Sequence, residues 1–198
     1  MQDILYAMLQ TELLHTLALL KVEGIGDVVA KKLINHCGSA QAVFQSKKKA
    51  LLAIEGVGEI LFKKLQEKNV FQLAENELRF IEKENISYSY FQNENYPERL
   101  KHCVDGPVIL FESGTIDLQN RKLISIIGTR QTTSYGIEFT KKLIADLAPL
   151  NPIIVSGFAY GVDIVAHQAA MENKLQTIGI LAHGLNQIYP KTHKKYMA

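Results

Sequence analysis

The apolar positions fall into two textures. Over the first 85 residues they recur at helical spacing. Leu13, Leu14, Leu17 and Leu20 make one stripe, Val28, Val29 and Leu33 a second, Leu61 and Leu65 a third, and Leu73, Leu78 and Ile81 a fourth. This predicts a small all-α domain over residues 1–85. From about Val108 the apolar residues bunch into short runs that end in glycine or small residues: Val108–Phe111, Leu123–Ile127, Ile153–Val155 and Thr177–Leu181. A stretch of about helix length separates each of the last three, which predicts βαβ units and a mostly parallel sheet over residues 107–198. Residues 86–106 are polar and run up to Pro107, with Pro97 inside; they read as a connector.

The helical part contains an internal echo. Leu20-Lys-Val-Glu-Gly24-Ile-Gly26-Asp27-Val-Val-Ala30-Lys-Lys-Leu33 returns 32 residues later as Leu52-Ala-Ile-Glu-Gly56-Val-Gly58-Glu59-Ile-Leu-Phe62-Lys-Lys-Leu65. Each copy predicts a helix, a tight Gly-apolar-Gly turn taken at positive φ, and a second amphipathic helix. Ile25 and Val57 are the expected core plugs. The pattern resembles a tandem helix-hairpin-helix of the SAM-like kind, which can present free amides to a phosphate. Pure protein packing is an equal reading, because Asp27 and Glu59 stand where they would repel phosphate. Lys31, Lys32, Lys63, Lys64 and the run Lys47–Lys49 are either DNA-facing cations or solvated faces. A dinucleotide fingerprint is excluded, since these glycines follow a helix and not a strand.

Composition narrows the classes. The chain has 198 residues, 47% apolar and 21% charged, with a net charge of only +2. That excludes disorder and a uniformly basic binder, so any anion site is local. Residues 1–104 hold 13 basic and 13 acidic side chains, and residues 105–198 hold 9 and 7. Cys37 and Cys103 make neither a disulfide framework nor a zinc set, and no metal or cofactor is expected. Asp3, Glu12 and His15 interrupt any signal peptide. The uncharged stretches Leu147–Val162 and Leu175–Pro190 fall short of the ~18 apolar residues of a membrane span. A soluble cytoplasmic protein without membrane contact is the expectation.

Candidate chemistry sits where the three predicted parallel strands end. After Leu123–Ile127 comes Gly128-Thr129-Arg130…Ser134-Tyr135-Gly136. After Ile153–Val155 comes Ser156-Gly157-Phe-Ala159-Tyr160-Gly161-Val-Asp163. After Thr177–Leu181 comes Ala182-His183-Gly184, running on to Tyr189-Pro190. Loops at the carboxyl ends of parallel strands open on one edge beside helix N-termini. Glycines there permit close backbone approach, Ser134 and Ser156 offer hydroxyls, and Arg130 offers a planar cation suited to phosphate oxygens. No P-loop, no G-x-G-x-x-G after a strand and no G-x-S-x-G elbow occurs. Asp163 and His167 share a helix face and could be a catalytic pair. The alternative, favoured for want of a nucleophile or metal set, is that Asp163 stabilises its helix and His167 bonds a neighbouring loop. His183 receives no role.

This three-loop series, with Tyr96-Pro97-Glu-Arg-Leu100 and Pro107–Phe111 upstream, resembles the DNA-processing protein A family (DprA, or Smf). The resemblance implies a Rossmann-like α/β domain behind a helix-hairpin-helix-like front end. It implies a non-enzymatic accessory protein of natural transformation and recombination that binds and protects single-stranded DNA and helps load a RecA-type recombinase. By the same resemblance Gly128, Thr129, Arg130, Ser134, Tyr135, Gly136, Ser156, Gly157, Ala159, Tyr160, Gly161 and Gly184 would contact DNA, with Lys191 and Lys194 extending the track toward Lys195. Tyr160 stands where the family often has Arg, and could stack on a base or sit in the core. Family members normally continue past this point, so the chain reads as a shortened form and a homodimer is left open. Two rival readings are a Rossmann-like glycosidase acting on nucleoside monophosphates, whose Pro-Gly-Gly-x-Gly-Thr stretch is not found here, and a protein-docking adaptor.

Overall fold

The computed structural model describes residues 2–116, 118 and 121–196. They form two compact units, residues 1–112 and 113–198.

The first unit begins with α1 (Gln2–Lys21), α2 (Asp27–Cys37) and α3 (Ala40–Gln45). α4 (Lys48–Leu52), α5 (Glu59–Leu65) and α6 (Asn69–Lys83) follow. α1 packs along α6, and Leu13, Leu17, Val70, Ala74 and Ile81 join one buried core. Glu12 caps the next layer: its carboxylate accepts from the Ala40 and Gln41 amides at 2.6 and 3.2 Å, at the start of α3.

Both hairpin turns form as the repeat predicts. Gly24 and Gly56 take φ +90° and +88°, which only glycine adopts without strain. Gly26 and Gly58 do not: they are extended N-caps at φ −96° and −103°, so one glycine of each pair carries the conformational demand. Ile25 and Val57 are 5% and 6% exposed, as plugs should be. The two copies are clasped reciprocally. Glu23 of the first pairs with Lys64 of the second at 3.0 Å, and Lys32 of the first pairs with Glu55 of the second at 3.4 Å.

The connector is where the structure draws its boundary differently. Residues 86–106 are not a linker, and 107–112 do not belong to the α/β unit. Strand β1 (Ser87–Tyr90) pairs antiparallel with β2 (Ile109–Glu112), in register Ser87 to Glu112 and Tyr90 to Ile109. Val108 and Ile109 are buried in the helical core. Two side chains fasten the hairpin. Tyr96 Oη donates to the Pro107 carbonyl at 2.7 Å, and the Val108 amide donates to Asp27 Oδ1 at 2.7 Å. Asp27, read from sequence as a residue that would repel phosphate, holds the entry of β2. The short helix α7 (Glu98–Lys101) lies between the strands.

The second unit is a parallel sheet in the order β3 (Leu123–Ser125), β4 (Ile153–Ser156), β5 (Thr177–Gly179). α8 (Ser134–Leu147) and α9 (Val162–Glu172) make the crossovers. Successive right-handed crossovers moving one way along a sheet put both helices on one face. α8 and α9 pack together there, over Ile124 and Ile154. Ala166, Ala169 and Ala170 give α9 a smooth face, so Ile144 of α8 seats deeply. The α/β, Rossmann-like expectation holds. The fourth apolar run, Val108–Phe111, went to the other unit.

Candidate nucleic-acid interface

All three predicted loops emerge from the carboxyl ends of β3, β4 and β5, and the ladder runs on into them. The Ile126 amide donates to the Val155 carbonyl at 2.9 Å, and the Ile180 amide donates to the Ser156 carbonyl at 2.8 Å.

The first two loops lie directly on each other. A Cβ on Gly161 would stand 2.1 Å from the Thr129 carbonyl oxygen and 2.7 Å from the Arg130 backbone, and Gly161 holds φ +83°. The Val162 amide donates to that same Thr129 oxygen at 3.1 Å. A Cβ on Gly128 would meet Val162 Cγ2 at 2.5 Å, and one on Gly157 would meet Asp163 Oδ2 at 2.4 Å. These three glycines are therefore needed for loop-on-loop and loop-on-helix packing. That packing also closes the N-terminus of α9: one amide is spent on Thr129, and Asp163 turns back to accept from the Ala159 amide at 3.3 Å. A carboxylate in the first turn suits the helix dipole and disfavours a second anion there.

The serines separate. Ser156 is 3% exposed, and its hydroxyl donates to the Ile126 carbonyl at 2.6 Å. It latches β4 to the end of β3, so the expected free hydroxyl at that position is corrected. Ser134 is exposed at the start of α8. There Thr133 is the N-cap, its Oγ1 accepting from the Gly136 amide at 3.2 Å, while Thr132 Oγ1 fills the place a Gly136 Cβ would need. The first turn of α8 contains no acid. Among the described residues the Ser134 and Tyr135 amides have no hydrogen-bond partner, and neither does the exposed guanidinium of Arg130. The open positive pole of the unit is thus the Thr129–Tyr135 segment.

The histidines are structural. His167 is 3% exposed, with Nε2 2.6 Å from the Gly157 carbonyl and Nδ1 2.7 Å from Thr177 Oγ1. A carbonyl only accepts, so Nε2 carries a proton, while the single hydroxyl proton of Thr177 lies between Nδ1 and the Ile154 carbonyl, 2.9 Å from Oγ1. Burial lowers the pKa of His167 and favours the neutral form. The ring ties α9, the second loop and β5 together. His183 staples the third loop: the Tyr189 amide donates to Nε2 at 3.3 Å, and Nδ1 donates to the Gly184 carbonyl at 3.1 Å. Both rings are engaged in hydrogen bonds within the unit.

After the third loop a 3₁₀ helix (Lys191–Tyr196) returns to the second. His193, 5% exposed, sets Nδ1 3.0 Å from the Phe158 carbonyl and stands edge-on to Phe158 and to Tyr160. Tyr160 does not sit in the core: its ring rests edge-on against His193 with 47% of its surface exposed. Lys191 and Lys194 are exposed, while Lys195 lies over the Tyr196 ring at 4.9 Å. Gly184 is exposed, with Asn186 Oδ1 3.0 Å from its Cβ position.

In the first unit the hairpin lysines are largely engaged. Lys32 and Lys64 sit in the reciprocal clasps, Lys48 pairs with Glu59 at 2.6 Å, and Lys31 donates to the Cys103 carbonyl at 3.3 Å. A cleft of about 430 Å³ there is lined by Val28, Lys31, Lys32, Phe91, Tyr96 and Lys101 among others. No group of three or more metal-ligating side chains and no membrane-length apolar helix occurs among the described residues.

Residues 87–198 match the family model described as DNA recombination-mediator protein A. The chain belongs to that family. The match starts at β1, so the β1–β2 hairpin is part of the family's pattern although it packs with the helical unit. Residues 16–68 match a SAM-like helix-hairpin-helix tandem, over the echo read from the sequence. The chain is 37% identical over 100 residues to the DNA processing protein DprA of Streptococcus pneumoniae, covering 50% of this chain and 35% of that protein. It is 34% identical over 110 residues to that of Bacillus subtilis, covering 55% and 37%. Protein Smf of Synechocystis is 28% identical over 196 residues, covering 95% of this chain and 48% of the relative. The chain therefore spans about a third to a half of the length of these relatives. The X-ray structure of DprA from S. pneumoniae superposes with a TM-score of 0.65 at 27% identity, over 92% of this chain and 62% of that one.

Proposed function

We propose that this chain is a cytoplasmic accessory protein of DNA recombination that holds single-stranded DNA by its phosphates at the Thr129–Tyr135 segment, without catalysis. The observation that carries the reading is the exposed, unpartnered Arg130 beside the acid-free, Thr133-capped start of α8. A guanidinium next to free helix amides recognises oxyanions. Residues 113–198 also carry nine Lys and Arg against five Asp and Glu. Lys191 and Lys194 extend the positive surface, and Tyr160 offers a ring face. Binding without chemistry is supported by the occupation of Asp163, His167 and His183 in the hydrogen bonds above. The family's printed description, a recombination mediator, supports transfer of the strand to a RecA-type recombinase and a place in natural transformation. Self-association belongs to the same proposal.

The test is fluorescence anisotropy with labelled poly-dT and a matched duplex at several salt concentrations. On single strands the log–log salt slope is about −0.7 per neutralised phosphate. Arg130→Ala is expected to weaken poly-dT binding and flatten the slope by about one such share. Unchanged affinity and slope overturn the reading.

A further inference from the structure

α8 carries two large aromatic rings that its packing does not use. Thr140 and Ile144 form the helix's buried side. Tyr135 and Phe139, four residues apart on the opposite side, are 76% and 55% exposed. Their rings lie nearly parallel, 28° between planes, with centroids 6.2 Å apart. A solvent-facing aromatic pair beside an anion-binding helix start is a surface suited to flat, apolar ring faces. Tyr135 is in the first turn of α8, and its own backbone amide belongs to the open positive pole beside Arg130. A phosphate held at that pole would bring its base to the end of α8 that carries Tyr135, with Phe139 one turn further along.

We propose that Tyr135 and Phe139 form a base-stacking shelf for two successive nucleotides of a single strand. The proposal rests on the phosphate reading above and adds what the bases touch. Stacking on π faces is blind to sequence and demands unpaired bases. The shelf therefore makes the site selective for single strands over duplex, which phosphate contacts alone do not.

The experiment compares a thymidine oligonucleotide with an abasic oligonucleotide of equal length, which has the same phosphates and no bases. The full chain is expected to bind the first tighter by roughly 5- to 150-fold per stacked base. Tyr135→Ala with Phe139→Leu should erase most of that ratio, and Phe139→Leu alone should lower it while leaving abasic binding within about twofold; Arg130→Ala should weaken both ligands together. The chain has no tryptophan, so Phe139→Trp installs a single local reporter, expected to be quenched by the thymidine strand and not by the abasic one. If wild type binds neither ligand, the phosphate reading fails. If it binds both but the double variant weakens them equally, or the tryptophan is not quenched, the shelf fails. It also fails if the double variant keeps the ratio and instead alters the sedimenting mass of DNA-free protein, which would make the pair a protein interface.

Discussion

Gly161→Ala isolates the contact on which the geometry of the binding loop depends. The added methyl meets backbone, not a side chain that can swing aside: Thr129 O at 2.1 Å and Arg130 C and Cα at 2.7 Å. The residue must also keep φ +83°, ψ −131°, where L side chains are strained by about 1–3 kcal/mol. Overpacking of this kind costs about 1–3 kcal/mol, and forcing the loops apart removes the Val162–Thr129 hydrogen bond, worth about 0.5–1.5 kcal/mol net. These terms overlap because backbone movement relieves part of each, so about 3–5 kcal/mol is expected. For a domain of this size that lowers the thermal midpoint by at least about 12 °C. Gly184→Ala is the matched control. Its Cβ would meet only the tip of Asn186 at 3.0 Å, and the expected change is within about 0.5 kcal/mol. Calorimetry or urea unfolding monitored by near-ultraviolet dichroism reads both. A Gly161→Ala midpoint within 4 °C of wild type, or a Gly184→Ala loss of equal size, refutes the claim that the first loop is seated on the second.

Ser156→Ala removes the latch to the Ile126 carbonyl; a stability loss of about 1–2 kcal/mol in urea titration is expected, with poly-dT affinity unchanged once the protein is folded. A loss of affinity without loss of stability would return Ser156 to the ligand. His167 sets a pH dependence whose sign follows from its lowered folded pKa. Below about pH 6.5 the unfolded ring takes a proton that the folded ring refuses, so the unfolded state is favoured increasingly as pH falls toward the folded value. The midpoint of the second unit should fall between pH 7.5 and 5.5, and His167→Gln should reduce that fall; a wild-type midpoint independent of pH would contradict the neutral strut.

Much of this was legible in the chain. The 32-residue echo located both hairpin turns, because a Gly-apolar-Gly step between amphipathic stripes has few other uses. The three strand-loop-helix units were legible because apolar runs of three to five residues stop at glycine or another small residue. The β1–β2 hairpin was not. Ser87-Tyr-Ser-Tyr alternates with period two, but it is short and sits beside Pro97 and Pro107. What makes it a strand is distant: Asp27 on the Val108 amide and Tyr96 on the Pro107 carbonyl. The loop positions were likewise readable while their roles were not. Sequence says that Gly128, Gly157 and Gly161 permit close approach; only the fold says that what approaches is Val162, Asp163 and Thr129. Ser134 and Ser156 look alike in a string and differ wholly in exposure. Phe139 escaped notice because an aromatic at helical spacing reads as core.

The two clasps between the hairpins bear on any titration against a polyanion. Lys32 and Lys64 already have carboxylates for company, so a phosphate approaching them must compete with Glu55 and Glu23, and few small cations are set free when it arrives. An exchange of one carboxylate for another oxyanion is nearly isoergic. The clasps thus take Lys32 and Lys64 largely out of the ionic-strength dependence, whereas the exposed Lys47, Lys49 and Lys63, which have no ion pair among the described residues, stay in it.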